Sequence, residues 1–200
     1  MRGVLPTHPV SMANLFPDIY PTDWQPEYER FQERDIAKSG ALQINSYDPV
    51  NQFRAKATWN TLTRAQYDQL EDHWWSYSAS AFDIFDFFLH KHRGLYVATA
   101  DGISTTYTLP ARSVGSRLVK HNSATASVQP SLLVGTGGQG EDQLQYTSAS
   151  RPAAGVVITL DCSDARRRYE CNYGTAKFLG HHREADVWVV EAEFIQKVLA

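Results

Sequence analysis

The residues that could do chemistry in this chain stand in short, scattered stretches. His90-Lys91-His92 sets two imidazoles on one face of an extended segment, the beginning of a metal pair. No third ligand follows at ligand spacing, so solvated or interface histidines are the simpler reading. His181-His182, followed by Arg183 and Glu184, reads as a polar loop pair. Asp83 and Asp86 bring two carboxylates close, as acid–base enzymes do. Three apart on a strand, however, they project from opposite faces, and their expected role is to satisfy backbone or arginine donors, Arg54 or Arg93 for example. GTGGQG, within residues 135–143, has the glycines of a phosphate cradle. It lacks the Lys-Ser/Thr ending, and no helical pattern opens behind it. Arg166-Arg167-Arg168 is the one basic run, and with Asp161, Asp164 and Glu170 around it a solvated face is expected. Cys162 and Cys171 form neither a disulfide framework nor a zinc pattern, and are expected to be reduced thiols. There is no G-x-S-x-G and no H-E-x-x-H. The expectation is a protein without catalytic, cofactor-binding or metal residues, and not an enzyme.

Behind these residues stand the elements that must position them. In FRAKATW, Phe53, Ala55, Ala57 and Trp59 alternate with Arg54, Lys56 and Thr58, the period of a half-buried strand. Thr63 then serves as an N-cap and Gln66 completes a capping box, with Leu62 placed to staple onto Tyr67. Tyr67, Leu70, Trp74 and Tyr77 form one helical stripe opposite Asp68, Glu71 and Asp72, while Trp75 lies about 100° away. AFDIFDFFL reads as a buried strand, apolar on both faces, which requires cover on both sides. ALQINSYD is expected to pair with FRAKATW as a hairpin through Asp48-Pro49-Val50-Asn51. Asp101-Gly102 signals a second hairpin between LYVAT and TTYTLP. Weak strands flank Pro130, residues 135–143 read as a flexible loop, and VVITLDC and RRYECNYG read as strands separated by a turn at Ser163-Asp164-Ala165. VWVVEAEFIQKV closes the chain as a long strand.

Residues 1–40 scatter Pro6, Pro9, Pro17, Pro21 and Pro26 among aromatics, which blocks long helices and central strands. They read as an extended arm lying on its own domain or on a neighbouring subunit, with residues 41–200 forming a single domain. At 42% hydrophobic and 20% charged residues the chain can bury a sizeable core, which excludes a fully disordered protein. A net charge of −3 gives no global case for nucleic-acid binding. No apolar run is long enough to span a bilayer, and no secretory h-region opens the sequence. The expected fold is mainly β with one prominent helix: a β-sandwich or split β-barrel with a flanking α-helix and an N-terminal extended arm.

The order of parts resembles the distal tail protein family, the tail-tip baseplate proteins of tailed bacteriophages and of gene transfer agents. The likeness is carried by the strand ending Ala57-Thr58-Trp59, by the helix segment LEDHWW (Leu70–Trp75), and by FDIFDFFLHKHRG (Phe82–Gly94). TTYTLPAR (Thr105–Arg112) and the closing VWVVEAEF strand extend it, so that residues 41–112 and 185–200 are covered. The resemblance implies a structural virion protein forming a homo-oligomeric, hexameric ring. That ring would join the tail tube protein to hub or fibre proteins, in the virion tail and, during assembly, in the host cytoplasm. It implies no cofactor and no membrane partner, with DNA only in transit through the lumen. An appended carbohydrate-binding sandwich of the kind found in larger family members is not expected.

On this reading Trp59, Leu70, Trp74, Phe82, Phe85 and Phe88 bear the fold, and Phe16, Tyr20 and Trp24 are the candidate assembly contacts. The alternative is a β-sandwich carbohydrate-binding or adhesin module using Trp75, Trp188 and the 135–143 loop. An enzyme would require the histidines to share a metal.

Overall fold

A computed structural model of the chain describes residues 14–29, 32–36, 42–46, 52–175, 178–184 and 187–197. In chain order the strands are β1 (Asp23–Glu29), β2 (Gln32–Ile36), β3 (Leu42–Ser46) and β4 (Gln52–Leu62), followed by the helix α1 (Arg64–Tyr77). Then come β5 (Phe82–Phe85), β6 (His90–Thr99), β7 (Thr106–Thr108), β8 (Ala111–Arg112), β9 (Arg117–His121), β10 (Ala124–Thr125), β11 (Ser131–Leu133) and β12 (Gln143–Gln145). The chain continues through β13 (Val157–Tyr173), β14 (Leu179–Glu184) and β15 (Val187–Gln196). The protein is therefore mainly β, with a large antiparallel sheet, smaller sheets and, among the described residues, one helix. Where the sequence suggests an arm and one domain, the chain divides into two compact units. One comprises Phe16–Phe82 and Glu170–Ala200, and the other Met1–Leu15 and Asp83–Tyr169.

The helix-bearing unit is organised on β4. Its apolar alternation is met on one side by β1, where Trp24 stands opposite Ala57, and on the other by β15, where Ala192 takes the same partner. Both hydrogen-bonding edges of β4 are thus occupied, and the expected hairpin with residues 42–46 does not form. β3 pairs with β2 instead, and the turn at residues 48–51 lies outside the described residues. Pro26 is accommodated in β1 because, among the described residues, that strand pairs with β4 alone and can leave its other edge without a donor. After Leu62 the capping box forms as its spacing predicts. Thr63 Oγ1 accepts from the Gln66 amide, and Gln66 Oε1 accepts from the Thr63 amide at 3.0 Å. Tyr67, Leu70 and His73 are the buried residues of α1. The rings of Phe16, Trp59, Phe82, Tyr173 and Phe194 interlock beneath it.

The second unit is built along β13, with β5, β6, β8 and β9 beside it. Its core is mainly aliphatic, around Leu95, Leu109, Val119, Leu144, Ile158 and Leu160, with Tyr107 and Tyr146 packed edge to face within it. Ser163-Asp164-Ala165 is not a turn. β13 runs through it, and the ladder to β6 absorbs the irregularity as a register shift between Cys162 and Ala165. Nor do β6 and TTYTLP form a hairpin: β6 pairs with β13, and β7 with β12. Asp101-Gly102 instead makes a side-chain-stabilised turn, in which Asp101 Oδ1 accepts from the Ile103 and Ser104 amides at 2.8 and 2.7 Å. Gly102 has φ +78° and lies so close to Ala154 that a Cβ would sit 3.0 Å from its nitrogen.

Candidate functional site

The predicted packing residues separate into those the fold uses and one it does not. Trp59, Leu70, Phe82 and Phe85 are buried, and Trp74 is half-buried against Phe178 and Trp75. Phe88 is 49% exposed. β5 stops at Phe85, the Asp86 amide donates to Arg167 O, and the chain turns so that Phe87 takes the buried position. The expected apolar strand is therefore shorter than AFDIFDFFL, and it leaves Phe88 and Leu89 in solvent.

The candidate assembly contacts also divide. Phe16 packs on Trp59, His73 and Phe194, while Trp24 packs on Phe53 and Phe194. Both are buried in the unit's own core, which replaces the expectation that they meet another subunit. Two bonds draw this segment inward: Trp59 Nε1 donates to Ile19 O at 2.9 Å, and the Thr22 amide donates to Thr58 O at 2.8 Å. Tyr20, between them, is 57% exposed.

His73 has no counterpart in the sequence reading, although three residues after Leu70 and four before Tyr77 it belongs to the same helical stripe. It is buried among Phe16, Tyr77 and Phe82, with Nδ1 2.7 Å from Tyr173 Oη. Burial lowers its pKa from 6.5 to about 4 and pushes the Tyr173 phenol up. The imidazole is therefore neutral near pH 7, and the phenol keeps its proton for the shared hydrogen bond.

The basic run in β13 is not a solvated face. Arg166 is buried, and its Nε donates to Asp86 O at 2.5 Å. Arg167 lies over the Tyr169 ring, 5.1 Å from the centroid. Arg168 binds Glu141 and approaches Asp83 at 3.9 Å. The two carboxylates meet backbone and arginine donors, as expected: Asp83 approaches Arg168, and Asp86 accepts from the Phe88 amide at 3.2 Å and lies 3.3 Å from His90. The glycine-containing loop around 135–143 is organised by two buried carboxylates, in place of the flexible segment expected. Asp142 accepts from the Val114 and Gly135 amides at 2.8 and 2.9 Å. Glu141 accepts from the Gln139 amide at 2.8 Å. These acids occupy the donors that a phosphate would need.

His90 and His92 follow one another along β6, and burial together with the Arg167 charge lowers the His92 pKa. Among the described residues no group of three or more His, Cys, Asp or Glu side chains is placed to hold a metal ion. Cys162 and Cys171 are free thiols, both buried. Trp188 is half-buried, 4.3 Å from Tyr67, with the Arg64 guanidinium over its ring.

Sequence reasoning missed a basic depression across β6, β13 and β9. Its walls carry Lys91, His92 and Arg93 from β6, Arg117 and Leu118 from β9, and Asp161 from β13. The alternation of Lys91 with Arg93 was a local sign of a charged strand face. Their convergence with Arg117 depends on register, because Cys162 is partnered by His92 on one side and Arg117 on the other. The exposed features of the described residues are charge and isolated large apolar side chains. No protein-family model matches the chain, and no curated protein is detectably similar to it.

Proposed function

We propose that this chain is a non-enzymatic structural protein of a phage tail tip. Copies close into a ring, expected to be hexameric, that connects the tail tube to hub or fibre proteins while DNA passes through the lumen. One observation carries the reading. Among the described residues, where Trp24, Trp59, Phe82 and Phe85 are buried, Trp75 is 69% exposed, and Phe88 and Leu89 are exposed side by side. These residues belong to LEDHWW and FDIFDFFLHKHRG, two of the segments on which the resemblance to distal tail proteins rests. Exposed large apolar side chains next to charged strands are economically covered by subunit contacts, and contacts repeated in one sense close into a ring.

The test is the mass and shape of the purified full-length protein, by native mass spectrometry and negative-stain microscopy. A closed ring is expected from repeated head-to-tail contacts, with about six copies as the resemblance to distal tail proteins implies. A protein that stays monomeric at every concentration, alone and with tail-tube or hub partners, overturns the reading. Specific, saturable glycan binding lost in Trp75→Ala would replace it with a carbohydrate-binding module.

A further inference from the structure

Across β6, β13 and β9 the ladder fixes which side chains share a face. Leu95, Leu160 and Val119 align on the buried side, and Tyr96, Thr159 and Lys120 form the next row on the opposite side. Asp161 and Leu118 follow that row on the same outer face. Between the Leu95–Leu160 and His92–Cys162 pairs, β6 spends one residue more than β13, and Gly94 takes φ +63° there. This bulge sets both Arg93 and Gly94 against Asp161, with Lys91 beyond them.

The outer face of these three strands therefore carries three cations, Lys91, Arg93 and Lys120, against the one carboxylate of Asp161. That carboxylate is engaged: Oδ2 accepts from Lys120 Nζ and Oδ1 from the Gly94 amide, both at 2.7 Å. Those bonds, and then the charges of Lys120 and Arg93, lower its pKa. Lys91 and Arg93 stand exposed, and Arg117 joins them in the wall of the depression, its Nη2 donating to Pro130 O at 3.0 Å. Asp164, the next acid along β13, accepts from the Ser163 hydroxyl at 2.8 Å. A chain of net charge −3 thus gathers positive charge at one place, the local footprint of a polyanion site. Beside the cations, Tyr96 is 56% exposed and Leu118 38%, and the Tyr96 hydroxyl, 3.1 Å from Thr99 Oγ1, holds the ring in place. A duplex offers such a face its phosphates and leaves the ring unused, because its bases are stacked inside. A single strand offers phosphates and base faces together, which matches a cationic track beside a stacking platform.

We propose that the outer face of β6, β13 and β9 binds single-stranded nucleic acid without sequence preference. Tyr96 stacks on a base, and Lys91, Arg93 and Arg117 meet the phosphates. The site lies within one copy of the chain, so it stands apart from the ring reading and neither depends on the other.

The experiment follows the anisotropy of a labelled oligothymidylate of about 12 nucleotides, within the range that a strand-binding fold covers, on titration with the full-length protein at about 50 mM salt. The wild type should bind saturably, with log K falling against log salt at a slope of roughly −2, as three phosphate contacts on a single strand require. Lys91→Gln with Arg93→Gln should weaken binding at least about tenfold and take roughly 1.4 off the steepness of that slope. Tyr96→Ala should weaken it at least about fivefold at an unchanged slope, and Tyr96→Phe, which keeps the ring, should stay close to wild type. A duplex of the same length should bind more weakly and ignore Tyr96→Ala. Thermal unfolding checks each variant, and the single substitutions Lys91→Gln and Arg93→Gln replace a pair that does not fold. Absence of binding at that salt concentration overturns the proposal, as does binding untouched by loss of the two cations. A duplex held as tightly as the strand, with Tyr96→Ala without effect on either, assigns the face to phosphate alone and overturns the single-strand site.

Discussion

The two units solve the same problem with different materials. The helix-bearing unit fills its interior with rings: Phe16, Trp24, Phe53, Trp59, Phe82, Tyr173 and Phe194 meet edge to face, tilted or, for Phe16 on Trp59, stacked. Among its described residues His73 with Tyr173 is the principal buried polar pair. The other unit packs small aliphatics and admits Asp86, Glu141, Asp142 and Arg166 to the interior. Ring packing is area-driven, and such contacts contribute about 0.5–1.5 kcal/mol each beyond burial. Buried carboxylates contribute only while every bond is made, and removing a partner exposes the full desolvation cost. The first unit should therefore respond to lost volume, the second to lost hydrogen bonds.

The largest expected effect breaks the aromatic side of this contrast. Trp59→Ala removes a fully buried ring and the donor to Ile19 O, and should cost roughly 4 kcal/mol. Hydrogen exchange should report the loss in β4 and β15 amides. Exchange that rises only in β9 and β13 would show that the contrast misplaces the stress.

The next effect is acid-dependent and belongs to the helix-bearing unit. His73 has its pKa lowered from 6.5 to about 4, so the unfolded chain takes up the proton first. Stability is complete above pH 6.5 and falls as the pH drops toward 4, by about 3 kcal/mol from this group. Denaturant titrations between pH 7 and 4 measure the slope, and His73→Gln should flatten it. An unchanged slope in that variant would assign the acid sensitivity elsewhere.

Asp142→Ala probes the polar unit. It leaves the Val114 and Gly135 amides without their acceptor and should cost about 2–3 kcal/mol. Asp142→Asn, which keeps one carbonyl acceptor, should fall between it and wild type. Equal losses in the two variants would show that charge, rather than acceptor geometry, is what the site requires.

The same division decides what could be read in advance. The capped helix, the alternation of β4 and the mainly β class follow from neighbours a few residues apart, where periodicity and capping chemistry act directly. The polar unit is wired over distance. Arg168 finds Glu141, Asp142 finds Val114, and Lys120 finds Asp161 only after register is set, and no short-range pattern marks those pairs. Turn chemistry misled at Asp101-Gly102, a strong hairpin dipeptide whose aspartate bonds forward instead of closing a ladder. It was also silent at Asn122-Ser123. There both residues adopt positive φ, 48° and 70°, in the tight connection between β9 and β10 without the usual glycine. Strand pairing failed for β3 because a period-2 pattern states which face is apolar and leaves the partner open.

The smallest effect is the most pointed test of the boundary between packing and assembly. Phe87 and Phe88 are chemically identical neighbours, one buried and one half in water. Phe88→Ser should change monomer stability by no more than about 0.5 kcal/mol, as surface substitutions usually do. If Phe88 is covered by another copy, the same variant should weaken assembly at unchanged stability, which equilibrium unfolding and sedimentation read separately. A stability loss as large as that of Phe87→Ser would place Phe88 in the core of its own unit, and the exposed pair with Leu89 would no longer argue for a subunit contact.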